Sequence, residues 1–254
     1  MNNLFTVKDK VVLITGSSQG IGYSLAKGFA EAGALVIING RIPEKVSLVV
    51  DEICRTGGKA VGYPFDVTEQ KVVVESIDQI ERKIGLIDVL INNAGIHRRA
   101  PLEELSMEDW KIVIEVNLSS VFMISQAVVK QMIKRKRGKI INITSLNAEK
   151  ARFGIANYCA SKGGLNMLTK SMATEWGKYN IQTNAIGPGY FITNLTKKLS
   201  EDPQFDAWVK QNVPLGRWGI PDELVGTAIY LASEASNYVN GHAIYIDGGW
   251  QASL

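Results

Sequence analysis

Cysteine is nearly absent from this chain: Cys54 and Cys159 are the only two in 254 residues. One possible pair without ligand-like spacing excludes a disulfide framework and a zinc motif, so no metal is expected and a reducing compartment fits. An excess of one charge is missing as well, since 28 basic and 25 acidic residues leave a scattered formal net charge of +3. So thin a surplus gives no electrostatic footprint for nucleic acid. The one dense basic run, Lys134-Arg135-Lys136-Arg137-Gly138-Lys139, reads as the close of a long helix, where cations meet the negative end of the dipole. No apolar run approaches the roughly 20 residues that span a bilayer. The opening Met1-Asn2-Asn3-Leu4-Phe5-Thr6 lacks the charged-then-apolar pattern of a secretory leader. A cytoplasmic protein without a membrane partner is therefore expected. With seven prolines and no Pro/Ser-rich linker, nothing divides the chain, and a single domain over 1–254 is expected.

What is present is alternation. Short apolar, β-branched runs at Val11–Ile14, Leu35–Ile38, 60–65, 87–91, 139–143, 181–186 and Ala243–Ile246 are separated by helical patterns. One of these, 21–32, is closed by Gly33; another runs over 106–137 unbroken by proline. Strands that are apolar throughout are covered on both faces. The repeat therefore predicts an α/β fold: a single Rossmann-type doubly wound parallel sheet flanked by helices. Residues 190–219 differ in texture, with two prolines, several aromatics and few strand signals. They read as an excursion over a ligand cleft beyond the carboxyl ends of the strands.

Between the first strand and the first helix lies Thr15-Gly16-Ser17-Ser18-Gln19-Gly20-Ile21-Gly22. Here the chain must turn sharply, admit a pyrophosphate to its backbone, and start a helix whose free N–H groups face the anion. Glycine meets the first two needs because it has no Cβ. The spacing is Gly-x-x-x-Gly-x-Gly. Taken with Asn92-Asn93-Ala94-Gly95, Tyr158-x-x-x-Lys162 and Asp247-Gly248-Gly249, it resembles the short-chain dehydrogenase/reductase family over essentially the whole chain.

That resemblance implies a nicotinamide cofactor bound along Gly16, Ser17, Ser18, Gln19, Gly20, Ile21 and Gly22, with Asn93, Ala94 and Gly95 beside it. It also implies Asp66 and Val67 near the adenine, and Pro188, Gly189, Ile192 and Thr193 against the carboxamide, with Ile192 acting through its backbone. The second strand ends Asn39-Gly40-Arg41. A carboxylate there would hold a ribose 2′-hydroxyl and select NAD; Gly40 and the cation Arg41 favour the 2′-phosphate of NADP instead.

Tyr158 and Lys162, four apart on a helix, share a face. Free tyrosine titrates near 10 and is a poor base, so a neighbouring ammonium, together with the positive nicotinamide of the cofactor, is expected to favour phenolate. By resemblance Ser145 hydrogen-bonds the substrate oxygen, Lys162 holds the nicotinamide ribose, and Asn117 helps a water connect the lysine to solvent.

Arg98, Arg99, Glu149 and Arg152 fall in loops at the cleft mouth, where arginines would clamp a carboxylate and Glu149 would accept sugar hydroxyls. The fuller pattern, with Gly216-Arg217-Trp218-Gly219 and Val239-Asn240-Gly241-His242, is similar to the gluconate 5-dehydrogenase branch of the family. This implies reversible interconversion of D-gluconate and 5-keto-D-gluconate. A 2-keto-3-deoxygluconate 5-dehydrogenase, a 3-oxoacyl-carrier-protein reductase and a non-catalytic NADP sensor are the alternatives. Apolar residues on more than one face of 106–137 and 158–178 (Val121, Phe122, Ile124, Leu165, Met167 and Met172), with the family resemblance, point to a homotetramer.

Overall fold

The seven apolar runs form strands β1 (Val11–Ile14), β2 (Leu35–Ile38), β3 (Lys59–Gly62), β4 (Val89–Asn92), β5 (Gly138–Ile143), β6 (Ile181–Pro188) and β7 (Ala243–Ile246). The computed structural model describes residues 4–253; Met1, Asn2 and Asn3, on which the leader expectation partly rests, and Leu254 lie outside the described residues. The strands form one sheet in the order β3-β2-β1-β4-β5-β6-β7, and every pair is parallel. From β1 the chain winds outward one way and then returns to the other side at β4. This reversal opens a crevice at the carboxyl ends of β1 and β4.

Alternation along the strands divides the core. Val12, Ile14, Val36, Ile38 and Ile143 pack with Leu25 and Phe29 of α1 (Gly20–Glu31) and Leu231 of α9 (Val225–Ala232). Leu13, Ile37, Leu90 and Ile140 face the other way, onto Ile77 and Ile80 of α3 (Gln70–Lys83) and Ile124 and Val128 of α5 (Ser120–Arg135). Full burial of each such side chain contributes about 1.5–3 kcal/mol. Helix α2 (Pro43–Arg55) joins the first layer through Val46, Val49 and Ile53.

Several expectations are corrected. The third strand stops at Gly62 rather than Phe65, because Pro64 has no N–H to continue the ladder. The run over 106–137 is not one regular helix. Ser106 caps α4 (Met107–Ile114) by accepting from Asp109 N at 3.0 Å. A π turn, Glu115–Ser119, then leads into α5. This 29-residue helical run is apolar and long enough to cross a bilayer, which the sequence reading did not anticipate. Val113, Ile124, Val128, Val129 and Met132 bury it in the fold, and it is a core helix. Of the six residues offered for assembly, Ile124 faces the sheet. Val121 and Leu165 pack with Met172 between α5 and α6 (Ala156–Trp176), while Phe122 and Met167 are exposed. Residues 190–219 contain α7 (Lys197–Ser200) and α8 (Pro203–Asn212). Gly219 N bonds to Tyr190 O at 2.9 Å and Ile192 N to Gly219 O at 3.0 Å, tying the two ends of the excursion together.

The basic run divides by place. Arg135 in the last turn of α5 donates to the Ile87 carbonyl and lies 3.5 Å from Asp88, as a helix-closing cation should. Lys139 is instead buried on β5, its Nζ donating to Ser236 Oγ at 3.1 Å and Asn237 Oδ1 at 2.9 Å. Burial, and then the charge of Lys10, push its pKa down to about 8 from 10.5. Between those two values the unfolded chain holds a proton that the folded chain has released, so this group makes stability rise with pH across that window. Lys139→Met should flatten the rise of melting temperature measured from pH 8 to 10; a slope equal to that of the unaltered chain would overturn the assignment.

Candidate active site

A cavity of about 580 Å³ fills the crevice beyond β1 and β4. Ser18, Gln19, Gly20 and Ile21 line one wall. Gly16 and Gly20 both hold left-handed backbone, at φ +62 and +58, which only glycine adopts without strain. Asn93 supports the loop from behind, its Nδ2 donating to Thr15 O at 2.9 Å and Gly16 O at 3.1 Å. Thr15 Oγ1 in turn accepts from Asn93 N and Ala94 N at 3.0 and 3.1 Å. Gln19 gives α1 no side-chain cap, so the positive helix end faces the cavity free for an anion. Ser17 turns inward: its hydroxyl donates to Ile14 O at 2.7 Å and accepts from Asn39 N at 3.0 Å. Gly22 packs against Asn93 behind the loop.

At the far end stand Arg41, Lys45, Asp66, Val67 and Thr68. Asp66 Oδ1 accepts from Thr68 N and Oγ1 at 2.9 and 2.8 Å, and its other oxygen lies 3.9 Å from Arg41. Lys45 was not anticipated from the sequence. Arg41 precedes α2 and Lys45 sits in its first turn, and both line this end of the cavity. Gly40 has a steric reason as well, since a Cβ there would lie 2.9 Å from Ser18 Oγ and 3.2 Å from Ser18 Cβ. An uncapped helix start, two cations and no acid at position 40 fit a dinucleotide carrying a 2′-phosphate.

The other end of the cavity is formed by Asn93, Ala94, Gly95, Pro188, Gly189 and Thr193 with Ser145, Tyr158 and Lys162. Ile192 lies outside it, and its N–H is taken by Gly219 O. Thr193 N and Oγ1 bond to Thr196 Oγ1 at 2.9 and 3.1 Å. Ser145 ends the β5 turn, accepting from Asn147 N at 3.1 Å, and its hydroxyl reaches that of Tyr158. Lys162 Nζ donates to Ile143 O at 2.7 Å and stands 5.8 Å from the centre of the Tyr158 ring. Lys162 by itself does not acidify Tyr158. Burial pushes the phenol up, offset only in part by Ser145, and burial pushes Lys162 down to about 8. With the ammonium drawn to a carbonyl, desolvation outweighs charge attraction and Tyr158 rests as a neutral proton donor.

Asn117 sits in the π turn with its amide fully engaged. It accepts from Ile96 N at 2.8 Å and donates to Ile96 O at 2.9 Å and Ser161 Oγ at 3.0 Å. The extra residue of the turn aims this side chain at the β4 loop. His97 packs edge-on to Tyr158 at 6.4 Å; burial and Arg99 lower its pKa, so it is a neutral wall.

Of the substrate candidates, Arg98 pairs with Asp109 at 3.4 Å. Glu149 is turned to β7, its Oε1 accepting from Asn166 Nδ2 at 3.0 Å and Tyr245 OH at 3.1 Å. Arg99 and Arg152 approach each other and Tyr190, and among the described residues neither has a carboxylate within 4.0 Å.

The family model for short chain dehydrogenases matches residues 10–204. The chain belongs to the short chain dehydrogenase family. The 5-keto-D-gluconate 5-reductase of Escherichia coli (strain K12) is 48% identical over 249 residues, 98% of either chain. The 2-dehydro-3-deoxy-D-gluconate 5-dehydrogenase of Formosa agariphila is 46% identical, covering 99% of this chain and 96% of that protein. A solved gluconate 5-dehydrogenase from Burkholderia cenocepacia J2315, in complex with NADP and tartrate, superposes with a TM-score of 0.97 at 46% identity over 99% of both chains.

Within this short chain dehydrogenase the phosphate end carries a direct test. Arg41→Ala should raise the Michaelis constant for NADPH by about tenfold, the worth of one charge-assisted contact, and leave that for NADH nearly unchanged. Equal effects on both cofactors would remove Arg41 from 2′-phosphate recognition. Gly40→Asp is the less clean variant, because it must displace Ser18.

Proposed function

We propose that the chain is an NADP(H)-dependent oxidoreductase interconverting D-gluconate and 5-keto-D-gluconate. The observation that carries this reading is one cleft holding Ser145, Tyr158 and Lys162; Arg99 and Arg152 lie outside its lining, with Arg99 facing His97, which packs edge-on to Tyr158 at 6.4 Å. Relatives named for these two acids support it. When bound, NADPH supplies the hydride for reduction and NADP takes it up in oxidation. In reduction Tyr158, neutral through burial, gives its proton to the substrate oxygen. Ser145 donates a hydrogen bond to that oxygen as negative charge develops. Below about pH 8 Lys162 keeps its charge and stabilises the phenolate that remains. In oxidation the same phenolate takes the proton back.

A 2-keto-3-deoxy acid presents its carboxylate at the same separation from C5, so the arginines fit it equally, and a relative of that name favours keeping this second reading. NADPH consumption with 5-ketogluconate, with the 5-keto derivative of 2-keto-3-deoxygluconate and with an acetoacetyl thioester distinguishes the readings. The first is expected to be fastest. Tyr158→Phe should lower its turnover by about a hundredfold or more while NADPH binding holds. Preference for the thioester makes the chain an acyl reductase, and turnover of none makes it a sensor.

We further propose a cytoplasmic homotetramer of single-domain subunits, with 190–219 as the cover of each substrate cleft. Phe122, at 48% exposure, and Met167, at 61%, are large apolar residues left open on α5 and α6, which supports pairing of these helices between copies. Light scattering at micromolar concentration should give four times the chain mass; a monomer mass refutes the assembly.

A further inference from the structure

The phenol of Tyr190 is held by more aromatic surface than any filling role requires. Its ring meets Phe205 at 5.8 Å, Trp208 at 5.9 Å, Trp218 at 5.7 Å and Trp250 at 5.3 Å, all edge-on at 65–88°. These partners come from α8, from the end of the excursion and from the C-terminal 3-10 turn Trp250–Ala252. A phenylalanine would pack into that box equally well, so the box leaves the hydroxyl to be explained.

That hydroxyl meets two cations. Arg152 lies beside it, its guanidinium 4.4 Å from the centre of the Phe205 ring. Arg99 faces both groups. Neither arginine has a carboxylate partner among the described residues. Asp206, the acid on that stretch of α8, is engaged by Lys210 at 2.7 Å and by the Trp218 indole at 2.9 Å. A guanidinium has no acceptor, so a phenol beside it keeps its own proton free to be donated elsewhere. Burial raises the Tyr190 pKa, so the group remains an O–H donor at neutral pH. Arg99 also faces His97, which packs edge-on to Tyr158 at 6.4 Å. The two arginines therefore stand on the Tyr158 side of the cavity.

We propose that Tyr190 is a substrate-specificity residue, donating a hydrogen bond to the carboxylate held between Arg99 and Arg152, with Trp250 fixing the ring for that task. The proposal rests on the sugar-acid reading above. A neutral donor beside two cations completes an anion site without adding charge, and a locked ring costs little entropy when the hydrogen bond forms.

The test is calorimetric titration of D-gluconate, and of the uncharged D-gluconamide, into the NADP-saturated full chain. Tyr190→Phe keeps the ring and removes only the donor. It should weaken gluconate binding by about tenfold, change gluconamide binding by less than about twofold, and leave the melting temperature and NADP affinity where they were. Trp250→Leu should weaken gluconate by a smaller factor with NADP affinity retained. Arg152→Met should show the same acid-selective loss as Tyr190→Phe. If the unaltered chain binds gluconate and Tyr190→Phe binds it equally, the role of Tyr190 is refuted and the sugar-acid reading stands. An equal loss on gluconate and gluconamide also refutes it, as a packing effect. If the unaltered chain binds no gluconate, the sugar-acid reading fails and the proposal falls with it.

Discussion

The site depends on how the ends of β1 and β4, neighbours in the sheet, are tied together. Thr15 accepts two N–H groups from the β4 turn, and Asn93 returns two hydrogen bonds to the carbonyls of Thr15 and Gly16. Acceptors of the glycine loop are consumed this way; Gly16 N and Ser17 N are taken by Asn39, and the donors at the uncapped start of α1 are left for an anion. Asn39 extends the tie to β2, accepting from Gly16 N at 3.2 Å and donating to Tyr63 O and Phe65 O, each at 3.2 Å. Each such bond is worth only about 0.5–1.5 kcal/mol net. Their effect is geometric: the phosphate loop, the Asn93 wall and the Arg41 end form one hydrogen-bonded unit, so none of them shifts alone.

At the catalytic end the governing competition is between burial and charge. An ammonium beside a phenol lowers the phenol's pKa when both are solvated or closely paired. Here Lys162 is buried and drawn to the Ile143 carbonyl, Tyr158 is half-buried in the cavity wall, and desolvation disfavours each charged form separately. The resting pair is therefore a neutral phenol and a weakly held ammonium proton. That state suits proton donation to a carbonyl, and the phenolate needed for the reverse direction requires the additional positive charge of the oxidised cofactor.

Legibility in the sequence followed locality. The seven strands, with the third read too long, followed from local apolar pattern, whereas the glycine turn and the Tyr158/Lys162 pair took their roles from the family resemblance. The π turn that aims Asn117 at Ile96 was not legible, because periodicity registers helix but not one inserted residue. Glu149 read as a hydroxyl acceptor from its loop, but its partners Asn166 and Tyr245 are distant in sequence and only the packed structure brings them to it. The box around Tyr190 is hidden for the same reason: Trp218 and Trp250 reach it from separate segments. Lys45 was missed because Arg41 lies in the bend before α2 and Lys45 inside it, so no helical spacing links the two.

Arg98 pairs with Asp109, whereas the exposed Arg99 and the half-buried Arg152 have no carboxylate partner among the described residues. An arrangement of this kind is completed by an anion from outside, and the reacting oxygen between Ser145 and Tyr158 sets how far away that anion must lie. Any acid with a carboxylate four carbons from its reacting centre satisfies both ends. Rejection of a substrate lacking a hydroxyl requires a site group left unpaired by the loss. Glu149, read from its loop as a hydroxyl acceptor, is turned to Asn166 and Tyr245 and does not line the cavity. On the proposed reading the arginines and the catalytic oxygens therefore treat gluconate-type and 3-deoxy acids alike, because both acids carry the carboxylate four carbons from C5.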